Sequence, residues 1–380
     1  MAKKLYAQDG VNIAEGDSFS AFAGALCKTT YENSPYVEIK DFSRGHFRGP
    51  RGYRFINLPD DCWFDASPDG EGTKTVLIDA AQKWLSGGNG IVAMTCGDIT
   101  RWGGLPLLIV NNFDVSSLGE VNSPTNLAAR MLMHGLKRAC DQQGIVMYKG
   151  ETAELSSCVG SENPNATLKY LWSAVAIGAY RESTMITGDE ISDGMDILAL
   201  REPSVRNNGI SSIRKAGNQK YVDFYSDPDA VDFLAAVAAP ATLYDRFLAD
   251  ANGWFPSNDK PRIPVKLLVH VTGGSIKSKL GEDILFPRDL SADLPNLWDP
   301  PEAFKKAKEW RGMSDEEAFE VWGNGIGVLA LMDPKHSCKF IARGGEYGIE
   351  VKVVGQIKKR KNVSITLRSS YSGEKIVYRR

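Results

Sequence analysis

The sequence predicts a mixed α/β and α+β chain of two domains, on three observations. A length of 380 residues suits two cores better than one. Strand-length apolar runs alternate with stretches of helical spacing in both halves. A polar stretch with Gly188-Asp189, residues 181–193, divides the two series. Apolar content of 43% and charged content of 24% are those of an ordinary globular chain. The net charge of −2 offers no basic field for nucleic acid. No run of 18 apolar residues is present, so no membrane partner is expected. The cysteines at 27, 62, 96, 140, 158 and 338 make no C-x-x-C pair. They read as reduced cytosolic thiols rather than zinc ligands or disulfides. The first residues, Met1-Ala2-Lys3-Lys4-Leu5, lack the apolar core of a secretory signal, which leads us to expect a cytoplasmic protein.

Taken in order, residues 6–17 form a glycine-punctuated turn leading to a helix near 18–26. Residues 43–52 hold three arginines and three glycines. They suit a cationic loop that closes over an anionic ligand, and equally a plain solvated loop. Residues 63–66 lead into Asp69-Gly70-Glu71-Gly72-Thr73-Lys74. Free glycine amides, a lysine point charge and an acid that can hold Mg²⁺ make this stretch a phosphate-site candidate, although it lacks Walker A spacing. The spacing over 91–102 predicts a helix stopped by Gly103-Gly104, with Asp98 exposed or holding a cation. Residues 105–110 read as a buried strand. Ser123-Pro124 opens a helix that ends at Gly144. Residues 145–148 form a strand ending in Lys149-Gly150-Glu151-Thr152-Ala153-Glu154, either a pair of metal-binding acids or a capped helix start. A further strand covers 172–180.

In the second half, 197–200 is a strand, and 206–215 is a loop feeding a helix N-terminus. Arg206 beside that terminus suits a phosphate monoester, or else asparagine simply caps the helix. A helix is predicted over 241–251. A strand over 265–271 ends in His270-Val271-Thr272-Gly273-Gly274, where open sheets place ligands. Ser314-Asp315-Glu316-Glu317 is a capping box. Strands follow at 326–332 and 347–357. A hairpin joins 365–368 to 376–379 near Ser372-Gly373.

These motifs, in this order, resemble the phosphoribosylformylglycinamidine cyclo-ligase (AIR synthetase) family, of which the chain would be a divergent member. Tyr6 to Ile13, Asp69 to Lys74, Ala93 to Asp98, Lys149 to Glu154, Arg206 to Ser211, Ala239 to Tyr244, His270 to Ser275 and Asn324 to Gly327 follow the family's segments collinearly. The resemblance implies an N-terminal domain over 1–185 that binds ATP and dimerises, its sheet forming a barrel with that of a second chain. It implies a C-terminal α/β domain over 186–380. The implied reaction is ATP-dependent closure of formylglycinamidine ribonucleotide to aminoimidazole ribonucleotide, through phosphorylation of an amide oxygen. Phosphoryl transfer asks mainly for positioning and charge neutralisation. On this resemblance Asp69, Asp98 and Glu151 hold Mg²⁺, and together with Lys74 they form the catalytic set. Gly70, Gly72, Thr73, Lys74, Asp98 and Thr152 bind ATP. Arg206, Asn208 and Gly209 hold the ribose phosphate, and His270, Thr272 and Gly273 line the substrate cleft.

Five positions depart from the family pattern: Glu71, Gly97, Asn111, Arg206 and Ile210. An unpaired Glu71 would repel phosphate, so it has to point away or bind the cation. Lys149 also stands where the family has a glycine. Related families with this fold are selenophosphate synthetase, thiamine monophosphate kinase, the hydrogenase-maturation dehydratase and formylglycinamidine ribonucleotide synthetase. A paralogue acting on another amide, or a non-catalytic nucleotide-binding protein, is the alternative reading.

Overall fold

The structure, a computed structural model, describes residues 13–43, 50–255 and 261–380. The segment 6–12 and residues 44–49 of the cationic loop lie outside the described residues. The chain divides into two compact units, Met1–Ile99 with Leu105–Glu182, and Thr100–Gly104 with Ser183–Arg380.

The first unit opens with α1 (Ile13–Lys28), longer than its sequence spacing suggested. A two-stranded antiparallel ribbon follows, β1 (Val37–Asp41) with β2 (Arg51–Phe55). Then come β3 (Cys62–Gly70), α2 (Lys74–Ala80) and α3 (Gly87–Thr95). After these lie β4 (Leu105–Val115), α4 (Pro124–Gln143), β5 (Val146–Glu154) and β6 (Tyr170–Arg181). The four longer strands form one sheet in the order β3-β6-β4-β5. Strands β4 and β5 run parallel, and β6 is antiparallel to both of its neighbours. The helix α4 that connects β4 to β5 starts as its sequence indicates. The Ser123 hydroxyl accepts from the Asn126 amide, and Gly144 closes the helix in the left-handed region.

Strand alternation sorts the sheet into two faces. Tyr170, Trp172, Ala174 and Ala176 are buried. On this side Phe113 meets Phe19 of α1 at 6.0 Å, Tyr170 at 5.7 Å and Trp172 at 5.5 Å. Such ring pairs contribute about 0.5–1.5 kcal/mol each beyond their buried area. On the opposite face Leu171 is 53% exposed and Phe64 51% exposed.

The second unit is built on a seven-stranded sheet. Its strands are β7 (Asp196–Arg201), β8 (Leu267–His270), β9 (Ser291–Leu294), β10 (Ile326–Met332), β11 (Val351–Lys358), β12 (Ser364–Arg368) and β13 (Lys375–Arg379). The order is β13-β12-β9-β11-β7-β10-β8, antiparallel except between β9 and β12. Its helices include α5 (Ile210–Lys220), α6 (Val231–Val237), α7 (Asp245–Ala251), α8 (Glu302–Arg311), α9 (Asp315–Val321) and α10 (Pro334–Glu346). Strand β10 is buried along its whole length, which is why it reads as an unbroken apolar run. Ile197 and Ala199 of β7 enter one core with Phe319, while Leu198 and Leu200 enter the other with Phe247 and Phe340. The Ser314 capping box is present with both of its bonds.

At the start of α7, Asp245 is buried and accepts the Thr100 hydroxyl at 2.9 Å. Burial outweighs the Thr100 bond and the Arg206 charge and pushes this carboxyl up to about 6. A folded value above the unfolded one means that its stabilisation is complete below about pH 4 and is lost as pH rises through 6. Asp245→Asn keeps a hydrogen-bonding group but does not titrate. Between pH 4 and pH 7, urea unfolding should show the wild type losing on the order of 2–3 kcal/mol relative to this variant. Parallel pH profiles for the two proteins would contradict the assignment.

Candidate functional site

The two signature segments of the first unit come together through the register of the sheet. One row across the strands is Asp69–Ala174–Asn111–Gly150, and the next is Gly70–Ser173–Asn112–Glu151. A cleft of about 640 Å³ lies over these rows. Pro68, Asp69, Val110, Asn111, Asn112, Lys149, Gly150, Glu151 and Ser173 are among its lining residues. The parallel β4–β5 contact is close. A Cβ built at Gly150 would lie 2.5 Å from the Asn111 amide nitrogen and 2.8 Å from the Asn111 carbonyl oxygen. Asn111 cannot yield, because its side-chain oxygen accepts the Trp172 indole N–H at 3.2 Å. Glycine at 150 is therefore a packing requirement of this sheet.

Sequence reasoning expected Lys149–Glu154 to follow the end of a strand, with a helix start as one option. The structure continues β5 through Glu154. Alternation then becomes decisive. Asp69 and Asn111 share one face, and Asn112, Ser173 and Glu151 share the other. The expected three-carboxylate magnesium site is not assembled for this reason. Among the described residues no group of three or more His, Cys, Asp or Glu side chains is placed to hold a metal ion. The Asp98 charge acts on Asp69 without Glu151. Burial pushes the Asp69 carboxyl up, the Gly70 amide at 2.6 Å opposes this, and the Asp98 charge adds to the rise. A divalent cation would offset the Asp98 charge that acts on Asp69.

Lys74 was expected on the nucleotide phosphates. It is instead the first residue of α2 and is 1% exposed. Glu71 is equally buried, accepts the Tyr170 hydroxyl at 3.2 Å and lies against Gly87 at the start of α3. Burial lifts its carboxyl to about 7, with the Lys74 charge pulling the other way. Glu71 thus points away from the cleft and shares the interior with Lys74. Gly72 and Thr73 form the turn between β3 and α2, and Thr152 is half-buried within β5.

The second-unit residues are also placed differently from expectation. Arg206 is buried and donates to Glu202 at 3.2 Å and to the Thr242 carbonyl at 3.1 Å, over the Tyr244 ring. A guanidinium neutralised in this way is not presented to a ribose phosphate. The space beside it, bordered by Asn208, is about 10 Å³, too small for one. Gly209 has φ +66, and a Cβ there would meet the Trp322 ring at 2.3 Å, so it serves packing. His270 is buried, and burial with the Arg206 and Arg101 charges holds it neutral. Thr272 and Gly273 lie in the more open turn that follows it. The residues that sequence reasoning missed are Val110, Asn112 and Ser173 in the cleft. Their two-residue alternation in apolar strands was the available signal.

Comparison with known proteins bears on the whole chain. Residues 55–179 match the family described as AIR synthase related protein, N-terminal domain. The chain is 26% identical over 354 residues to the phosphoribosylformylglycinamidine cyclo-ligase of Burkholderia ambifaria, covering 93% of each. The resemblance read from the sequence is therefore carried over nearly its full length. Among solved structures it is similar to thiamine-monophosphate kinase from Stenotrophomonas maltophilia, with TM-score 0.59, 12% identity and coverage of 92% of this chain and 95% of that one. It is also similar to the hydrogenase maturation protein HypE in complex with ATP, with TM-score 0.55, 14% identity and 85% of each chain. The fold is that of AIR synthase-like proteins.

Removing one member of a buried charge pair leaves the other uncompensated. Glu71→Gln, which removes the carboxyl from beside Lys74, is therefore expected to cost about 3 kcal/mol or more in denaturant unfolding. The double variant Glu71→Gln/Lys74→Met should recover most of that loss. Equal losses in the single and double variants would show that the two charges are independent.

Proposed function

We propose that the protein is an ATP-dependent ligase that closes formylglycinamidine ribonucleotide to aminoimidazole ribonucleotide, a step of purine biosynthesis, in the cytoplasm. The observation that carries this reading is the meeting of Asp69-Gly70 and Gly150-Glu151 in adjacent rows over one cleft. The similarity to cyclo-ligases along 93% of the chain supports it. In this reading residues 1–185 bind the nucleotide and dimerise, and residues 186–380 form the C-terminal AIR-synthetase-like domain. Asp69 and Asp98 would hold Mg²⁺, which when bound supplies charge neutralisation at phosphate oxygens. The amides of Gly72 and Thr73 would serve the phosphates, since those of Gly70 and Glu71 are bonded to Asp69 and to the Trp172 carbonyl, and Glu151 and Ser173 also line the cleft. Phosphorylation turns an amide oxygen into a good leaving group, so that the amidine nitrogen attacks the activated carbon and phosphate departs.

A second reading is a paralogue that phosphorylates another amide, or that binds nucleotide without catalysis. The Glu202 ion pair on Arg206 favours it, because the segment matched to the family's phosphate-holding loop is closed on itself.

The two readings separate in a coupled assay of ADP release. Adding formylglycinamidine ribonucleotide should raise the rate at least tenfold above the ATP-only background. An unchanged background would remove the cyclo-ligase reading and leave the second.

A homodimer is part of the proposal. The end of the first unit's sheet face carrying Phe64, Ala66 and Ile177 is apolar and lies beyond the cleft residues, and β3 is an edge of the sheet. Packing two such faces would hide that surface. Analytical ultracentrifugation should give a dimer for the wild type and a monomer for Phe64→Glu. A monomeric wild type at micromolar concentration would contradict it.

A further inference from the structure

We propose that Lys149, rather than Lys74, is the lysine that holds the nucleotide's terminal phosphates, an inference that rests on the nucleotide-binding reading above. Lys74 is enclosed with Glu71 beneath the sheet, so the cleft needs another cation. Lys149 is exposed and lines the cleft with Asp69 and Glu151. Its register partner is Val110, and Glu151 pairs with Asn112, two positions along the same face.

Residues two apart on a strand stand about 7 Å apart. Long side chains can bridge that spacing, yet neither Lys149 nor Glu151 forms an ion pair among the described residues. The Lys149 ammonium lies 5.0 Å from the centre of the Tyr148 ring, a contact of about 0.5–1 kcal/mol at an exposed site. A phosphate displaces such a contact easily. The cleft therefore presents a cation and an anion side by side without mutual neutralisation. A metal–polyphosphate complex carries both complementary charges, and the Ser173 hydroxyl in the same row adds a donor.

The test is calorimetry with three probes: the Mg²⁺ complex of a non-hydrolysable ATP analogue, magnesium tripolyphosphate, and adenosine. Lys149→Ala should weaken the first two about ten- to hundredfold, the loss of one charge-assisted contact. Lys149→Arg should stay within about fivefold of wild type, and adenosine should be unaffected by either change. Unchanged analogue binding by Lys149→Ala overturns the inference while leaving the nucleotide reading intact. An equal loss of adenosine binding also overturns it, because the effect is then structural. Lys149-dependent uptake of tripolyphosphate without analogue binding removes the nucleotide reading and the inference with it, because the lysine then serves a polyphosphate that no nucleotide carries. A wild type that binds neither polyphosphate removes both.

Discussion

The candidate site depends on the register of one four-stranded sheet. Strand β6 lies between β3 and β4, and β4 carries β5 in parallel, so four separate segments contribute to each row. A slip of one residue in any strand would send its side chains to the opposite face. Two contacts hold the register where it matters. The Trp172 indole bonds Asn111 across β6 and β4, and Gly150 admits the Asn111 backbone from β5. Asn111, which departs from the family pattern, is thus a structural pin that sets which neighbours face the cleft.

The same alternation explains how an acid can stand inside a phosphate-binding signature. Glu71 follows the last β3 residue and turns inward, where Tyr170 and Lys74 accompany it. Its charge is removed from the cleft at the cost of drawing Lys74 in after it. In the second unit Arg206 has the comparable fate, held by Glu202, the Thr242 carbonyl and the Tyr244 ring. Lys74 and Arg206 are signature positions where chemistry was expected and packing is found. The charged side chains lining the cleft are Asp69 on β3 and Lys149 and Glu151 on β5.

Much of this was legible in the sequence, and for physical reasons. Caps are local, so Ser123 and Ser314 announced their helices correctly. The fully buried β10 declared itself as an apolar run. The polar end of β5 did not, because Lys-Gly-Glu-Thr has little strand character and is held extended by its pairing with β4. The helix expected over 241–251 begins only at Asp245, since the Thr242 amide is used by Glu202. The helix expected over 91–102 is broken at Cys96 and begins earlier, at Gly87. The membership of the cleft was readable as a set of motifs. Which face each side chain takes depends on long-range pairing, and no local pattern carries it.

The most direct measurement of the central idea is amide hydrogen exchange with and without the magnesium complex of a non-hydrolysable ATP analogue. The account predicts that peptides covering 69–75 and 147–153 slow together, because both border one bound polyphosphate. Protection of only one of these peptides, or protection confined to the second unit, would contradict it.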